Sequence, residues 1–336
     1  MNPTAHTITL NGYTLRRFIP ADAPAMVRLV RAIYGDSYYP TDLYDPEKII
    51  HLNQVGKLVS IVALDSAGQL VGHYALERPE LSPVAEASDA IVLPEHRHHH
   101  LMEEMRILLR EEAIREGLAG LVGYPVTNHL FSQKAEEHFG SFPCGVALGL
   151  WPQTFHNMPE ALPQRMSFVI YFKYLQPHRE VFHVDTHHRE ITSRIYQQYG
   201  VTVQHQEGAP PSGTGVIEVK VEEPVQTGTI RVRRVGADSI AAILQARRDL
   251  CAGRAVKALT LELPLTQPGT LEVLVAAEED GFFFSGLGPR FFHDGDTLLL
   301  QYLDEDLDLS LVQVDGLFAN DLFTYVAKER QRVRRS

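Results

Sequence analysis

Ile91-Val92-Leu93-Pro94-Glu95-His96-Arg97-His98-His99-His100-Leu101 is the stretch on which the reading of this 336-residue chain turns. Ile91 to Leu93 is apolar and Pro94 interrupts it. Apolar residues then recur at helical spacing: Leu101, Met105, Leu108, Leu109, Ala113 and Ile114. The pattern predicts a strand running directly into a helix. The first amides of a helix have no partner within it, and the positive end of its dipole lies there. Such a junction suits a phosphate.

Outward from this stretch, Tyr13–Ile19 reads as a strand, and Pro20-Ala21-Asp22 opens a helix carrying Met26, Leu29, Val30 and Ile33. Leu58–Leu64 and Gln69–Leu76 are apolar runs joined by Asp65-Ser66-Ala67-Gly68, a hairpin signal. A strand follows at Leu118–Tyr124, then a short helix from about Asn128 to Phe139, with Gly140 placed to cap it. Two further strands are expected near Cys144–Leu150 and Met166–Tyr174.

This order, from Tyr13 to Leu175, together with Val92, Pro94 and Arg97, resembles the GNAT acyltransferases. Their Val-x-Pro-x-x-Arg-x-x-Gly-x-Gly/Ala loop wraps the pyrophosphate of acetyl-CoA. Here the strand residue is shifted by one, and His100 and Met102 stand where Gly and Gly/Ala are usual. The resemblance implies an α+β (mixed α/β) fold, a mostly antiparallel twisted sheet flanked by helices, with acetyl-CoA as co-substrate. It assigns Ile91, Val92, Arg97, His98, His99, His100, Leu101 and Met102 to the cofactor. Asn128 falls within one residue of the family's helix-start asparagine, which bonds the pantetheine arm; the plainer reading is an N-cap. Solvated histidines on an ordinary strand–loop–helix are the plainer reading of the loop.

The second half reads as a worn copy of the first. Aligning Ile91 with Ile230 sets Pro125-Val126-Thr127 opposite Pro264-Leu265-Thr266 without a gap. Leu148-Gly149-Leu150-Trp151-Pro152 then faces Ser285-Gly286-Leu287-Gly288-Pro289, and the β-rich runs 166–172 and 296–302 follow. Internal similarity at this spacing predicts two tandem GNAT-like domains, 1–176 and 177–336. Arg233-Arg234-Val235-Gly236 replaces Pro94-Glu95-His96-Arg97, so the second domain is expected to bind no cofactor. Asp238 or Ser239 reads there as a plain N-cap. Glu207–Gly215, rich in Gly, Pro and Ser, reads as a long hairpin loop.

Composition sets outer bounds. Hydrophobic content of 44% and charged content of 22% are those of a globular protein. No apolar run reaches membrane-spanning length and the N-terminus carries no basic-then-apolar signal, so no membrane contact and a cytoplasmic location are expected. Two cysteines, Cys144 and Cys251, make no disulfide framework. A net charge of -11 disfavours nucleic acid. The basic tail Lys328–Arg335 reads as a solvated helix end.

Acyl transfer from a thioester to an amine requires a base for the amine, donors for the oxyanion and a proton for the departing thiolate. The resemblance points to the strand before the loop, where Glu86 and Asp89 are the available carboxylates and the Ile91 and Val92 amides the donors. Charged strand edges are common, so a solvated role is the plainer reading of both carboxylates. The family's thiolate acid is commonly a tyrosine four residues before the closing glycine of the short helix. Counting back from Gly140 reaches Glu136, which beside Lys134 and Glu137 is expected to be exposed. His129 is the preferred alternative donor, ahead of His138. No metal site is expected: His98, His99 and His100 cannot all face one ion, and His183, His187 and His188 have few acidic neighbours in sequence.

The leading expectation is therefore an N-acetyltransferase acting on a small-molecule or peptide amine. A non-catalytic acyl-CoA-binding sensor on the same fold and an interaction scaffold are the alternatives, and a homodimer is compatible with each.

Overall fold

A computed structural model describes residues 7–39, 41–78, 80, 82–153, 162–252, 256–292 and 295–334. Packing divides the chain into two compact units, the first ending at Gly123 and the second beginning at Tyr124.

The first unit runs β1 (Ile8–Leu10), β2 (Tyr13–Arg17), α1 (Ala23–Tyr34), α2 (Pro46–Gln54), β3 (Leu58–Leu64), β4 (Leu70–Glu77), β5 (Val84–Val92), α3 (Leu101–Arg115) and β6 (Gly120–Gly123). The six strands lie side by side in chain order. Neighbours are antiparallel except β5 and β6, which are parallel because α3 carries the chain back between them. Met26, Leu29 and Val30 of α1 and Ile49 of α2 pack with Leu58, Val62 and Ile91 in one core. The expected hairpin is present: Asp65 N–H bonds Gln69 O at 2.9 Å, the Asp65 carboxylate accepts from the Ala67 and Gln69 amides, and Gly68 takes φ +78°. Helix α2 was not expected, although Asp45, accepting from the Glu47 amide, and Pro46 at the first helical position mark its start.

In β4–β5, His73 stands opposite Ile91 and Ala75 opposite Ser88. Asp89 and Ala90 therefore face Tyr74 alone. This is a β-bulge, with Asp89 at φ +56°.

The second unit contains α4 (Phe131–His138), β7 (Phe142–Trp151), β8 (Met166–Tyr174), β9 (Glu180–Val184), α5 (Arg189–Gln198), β10 (Thr202–Gln206), β11 (Val216–Glu222), β12 (Thr227–Arg234), α6 (Ser239–Cys251), β13 (Ala258–Pro264), α7 (Thr270–Glu279), β14 (Phe283–Phe292), β15 (Gly295–Leu303) and α8 (Leu317–Arg334). Seven of its strands pair in the order β8-β7-β14-β15-β13-β12-β11, while β9 and β10 form a separate parallel pair. Phe282, Phe283 and Phe284 are buried, as their apolar neighbours imply.

The repeat is visible in element order: β5-α3-β6-α4-β7-β8 is answered by β12-α6-β13-α7-β14-β15. β12 and β13 are parallel like β5 and β6, and β14 and β15 are antiparallel like β7 and β8. The strand register departs from the expected alignment. Gly145 pairs with Gly286, each the fourth residue of a ten-residue strand, so Gly149 is not the counterpart of Gly286. The copies also differ at their start. Two helices separate antiparallel β2 and β3, whereas one helix separates β9 and β10 and returns the chain parallel.

Packing places the β7–β8 hairpin in the second unit, whereas element order assigns it to the first copy. Because β10 pairs with β9 rather than β11, the 207–215 loop links two sheets and is not a hairpin turn. The basic tail is not merely solvated either: Arg330 is buried and donates to Glu305 O, and Arg334 pairs with Asp306 at 2.6 Å. No helix among the described residues is long and apolar enough to cross a membrane.

Candidate functional site

After β5 the chain makes a single tight turn at Pro94–His96 and enters α3 through His98 and His100, at φ +69° and +58°. Left-handed backbone of this kind favours glycine, because a Cβ crowds the following carbonyl. The loop at position 100 thus keeps the conformation that a glycine would supply, although a histidine occupies it. The His100 side chain turns to the surface, 3.2 Å from Glu103. No side chain caps α3, and Glu104 N–H to His100 O at 3.1 Å is its first turn bond. The amides of Leu101 and Met102 lie ahead of that bond, at the positive end of a fifteen-residue helix. Arg97 is exposed and donates through Nε to Val92 O at 3.3 Å. Tyr13 braces the loop, with its hydroxyl 3.0 Å from His96 Nδ1 and its ring 5.4 Å from that of His99. His98 and His99 are exposed, and Leu101 is buried beneath them.

The bulge places Asp89 in a buried polar pocket. Tyr38 donates to Asp89 Oδ1 at 2.8 Å, and the Tyr34 ring stacks on Tyr38 at 4.2 Å. Tyr44 accepts from the Tyr38 amide and donates to Gly35 O, fixing the segment after α1. His73 Nδ1 lies 3.1 Å from Asp89 O, so this nitrogen carries the proton in the neutral ring. Burial, reinforced by the nearby Glu77 and Glu86 carboxylates, raises the Asp89 carboxyl well above its ordinary range. Burial lowers His73 to about 4, with the bond to Asp89 O opposing it. Burial and Asp89 together raise Tyr34 to about 12. Glu86 is half-buried, opposite Glu77 in β4 and Val122 in β6. Ile91 and Val92 sit in register against His73 and Gly72, so the residues set outside the ladder are Asp89 and Ala90. Tyr38, Tyr34 and His73 were not anticipated. Their only advance signal was a pair of tyrosines four apart at a helix end.

Asn128 and His129 belong to the second unit. Thr127 O accepts from Gln313 N–H at 2.8 Å, Asn128 O from Gln313 Nε2, and Gln133 Nε2 donates to Val126 O at 3.0 Å. These bonds hold residues 126–129 out of the helix, so α4 starts at Phe131 with Leu130 as N-cap. Asn128 is buried and does not cap. The His129 ring lies against Phe131, with Nδ1 buried and without a hydrogen-bond partner. Glu136, expected to be exposed, is 6% exposed, because α4 turns that face inward with Gln133. Gly140 closes the helix as anticipated, at φ +71°.

At the equivalent junction of the second copy two loop amides are held internally. Gly236 N–H bonds Ser239 Oγ and Ala237 N–H bonds Gly213 O, both at 2.9 Å. Asp238 does not cap its own helix; it accepts from the Gly215 amide instead. Gln267, between β13 and α7, accepts from Val235 N–H and donates to Arg233 O, so one side chain links the two strand ends. The 207–215 loop packs against this junction, with Pro211 against Gly269.

No family model and no curated protein matches the chain. Solved structures similar to it include a ribosomal-protein-alanine acetyltransferase of Vibrio fischeri, 12% identical, covering 51% of this chain and 100% of that one, with a TM-score of 0.41. A GNAT-family acetyltransferase of Staphylococcus aureus, 12% identical, covers 49% and 99%, with a TM-score of 0.38. The PaiA N-acetyltransferase of Thermoplasma acidophilum, in complex with coenzyme A, is 13% identical and covers 48% and 98%, with a TM-score of 0.35. Each spans about half of this chain.

Proposed function

We propose that the protein is an acetyl-CoA-dependent N-acetyltransferase whose cofactor loop is the Leu93–Met105 junction of the first unit. One observation carries this reading: a β-bulge at Asp89 feeds a proline turn and an uncapped α3, with left-handed backbone at His98 and His100. Phosphate would take the Leu101 and Met102 amides and the Arg97 guanidinium. In the reaction the amine nitrogen bonds to the thioester carbonyl carbon, the carbon–sulfur bond breaks, and CoA leaves as thiolate. Glu86, and Asp89 once its raised carboxyl has ionised, are the residues proposed to accept the amine proton. The second copy, with its Gly236 and Ala237 amides bonded within the loop and Gln267 across its strand ends, is proposed to be structural.

The test is CoA titration of the full chain followed by thioester consumption over a panel of amines. Binding with turnover supports the enzyme. Buried Glu136 at the family's tyrosine position favours the second reading, a non-catalytic acyl-CoA sensor, which binding without turnover on any amine would establish. Absence of CoA binding rejects both.

A further inference from the structure

His187 and His188 lie in the turn between β9 and α5, and both point at one oxygen. Their Nε2 atoms are 3.1 and 2.9 Å from Glu278 Oε1, near the end of α7. Glu329 of α8 joins them, and the four ligand atoms lie within 4.8 Å of one another. The acidic partners of the cluster are thus supplied from roughly 90 and 140 residues away. His188 and Glu278 are buried, while His187 is exposed on one side, where it lines an open cleft of about 630 Å³ with Arg189, Glu190 and Ser193. The Tyr325 hydroxyl, 2.8 Å from His188 Nδ1, fixes that ring with Nε2 facing the cluster.

A structural ion-pair network is the alternative, and the donor count argues against it as a complete account. Arg332 approaches the same Glu278 oxygen at 2.7 Å and Glu329 at 2.6 Å. With the proton of each imidazole on Nε2, three N–H groups compete for one carboxylate oxygen that has two lone pairs. A metal ion relieves the competition, since each imidazole then presents a lone pair to the ion. Two imidazole nitrogens and two carboxylates make a set suited to zinc, and nitrogen ligands disfavour calcium and magnesium. The Arg332 side chain is 44% exposed near the end of α8, so an ion that displaces it sends the guanidinium toward solvent.

We infer that His187, His188, Glu278 and Glu329 form a binding site for a divalent ion of the zinc type, in which Arg332 occupies the ion's place until it is displaced. The site ties the β9–α5 turn to α7 and α8, so metal raises the unfolding temperature of the full chain.

The experiment titrates Zn²⁺ into the chelator-stripped full-length protein against a chromogenic chelator, with melting curves recorded in parallel. One equivalent binds the wild type. Affinity falls at least tenfold in His187→Ala and in Glu329→Gln, both at the rim of the cluster, where melting curves report that the fold survives. Affinity rises about tenfold in Arg332→Ala, a gain that no loss of structure imitates. A variant with alanine at 98, 99 and 100 retains the equivalent. The inference fails if neither wild type nor Arg332→Ala takes up zinc. It also fails if uptake survives Glu329→Gln and disappears with the three surface histidines.

Discussion

Gly145 and Gly286 face each other across the β7–β14 pair, so closely that neither position has room for a side chain. A Cβ on Gly145 would stand 2.8 Å from Ser285 O, and one on Gly286 would collide with the Gly145 backbone. Alanine at either site forces the strands apart, and overpacking of this kind costs about 1–3 kcal/mol. Chemical denaturation of Gly145→Ala and Gly286→Ala should show that loss, and wild-type stability in both would refute the close approach.

Arg97→Ala should weaken CoA binding by about 1–3 kcal/mol, the range for a lost charge-assisted hydrogen bond. Its side chain is exposed and its one described bond is to Val92 O, so the fold should be unaffected. Calorimetric titration with CoA decides it; unchanged affinity takes Arg97 out of the site.

Asp89 gives stability a pH dependence of known sign. Its raised carboxyl keeps its proton in the fold at pH values where the unfolded chain has released it. That contribution is complete below the unfolded value near 4 and is lost as pH rises toward the folded value. Asp89→Asn, which retains an acceptor for Tyr38, should therefore gain on wild type in melting temperature as pH is raised from 5 to 9. A constant difference would mean that Asp89 ionises normally.

His73 acts in the opposite direction. Lowered to about 4 by burial, it is neutral in the fold while the unfolded chain takes up a proton below about 6.5. Its contribution is present above 6.5 and is lost as pH falls toward 4, to the extent of about 3 kcal/mol. Replacement by Gln should flatten the acid limb of the stability curve, and an unchanged limb would exclude His73 as its source.

Titration of the intact chain should give one CoA per chain. Gln267→Ala should destabilise the second unit by about 1–3 kcal/mol, because Val235 N–H and Arg233 O lose their partner. A stoichiometry of two would overturn the structural role proposed for the second copy.

What was legible in the sequence was what local periodicity controls. Leu58–Leu64 and Met166–Tyr174 are strands at the expected bounds, α3 begins at Leu101, and the order around the Pro94 turn recurs in the second half. Each depends on apolar spacing and on Pro or Gly punctuation within one short stretch. The candidate site was legible only as a loop. Asp89 becomes special because β4 supplies one residue opposite two, and Tyr38 reaches it from the segment after α1. Gln267 bonds Arg233 O, 34 residues away in sequence. The histidines at 187 and 188 meet Glu278 from α7, some 90 residues away. Strand register and side-chain convergence are set by pairing and packing between distant segments, which no local pattern records. The sequence by itself determined the elements around the Pro94 turn and their order, because local spacing sets them; tertiary structure decided which side chains face one another.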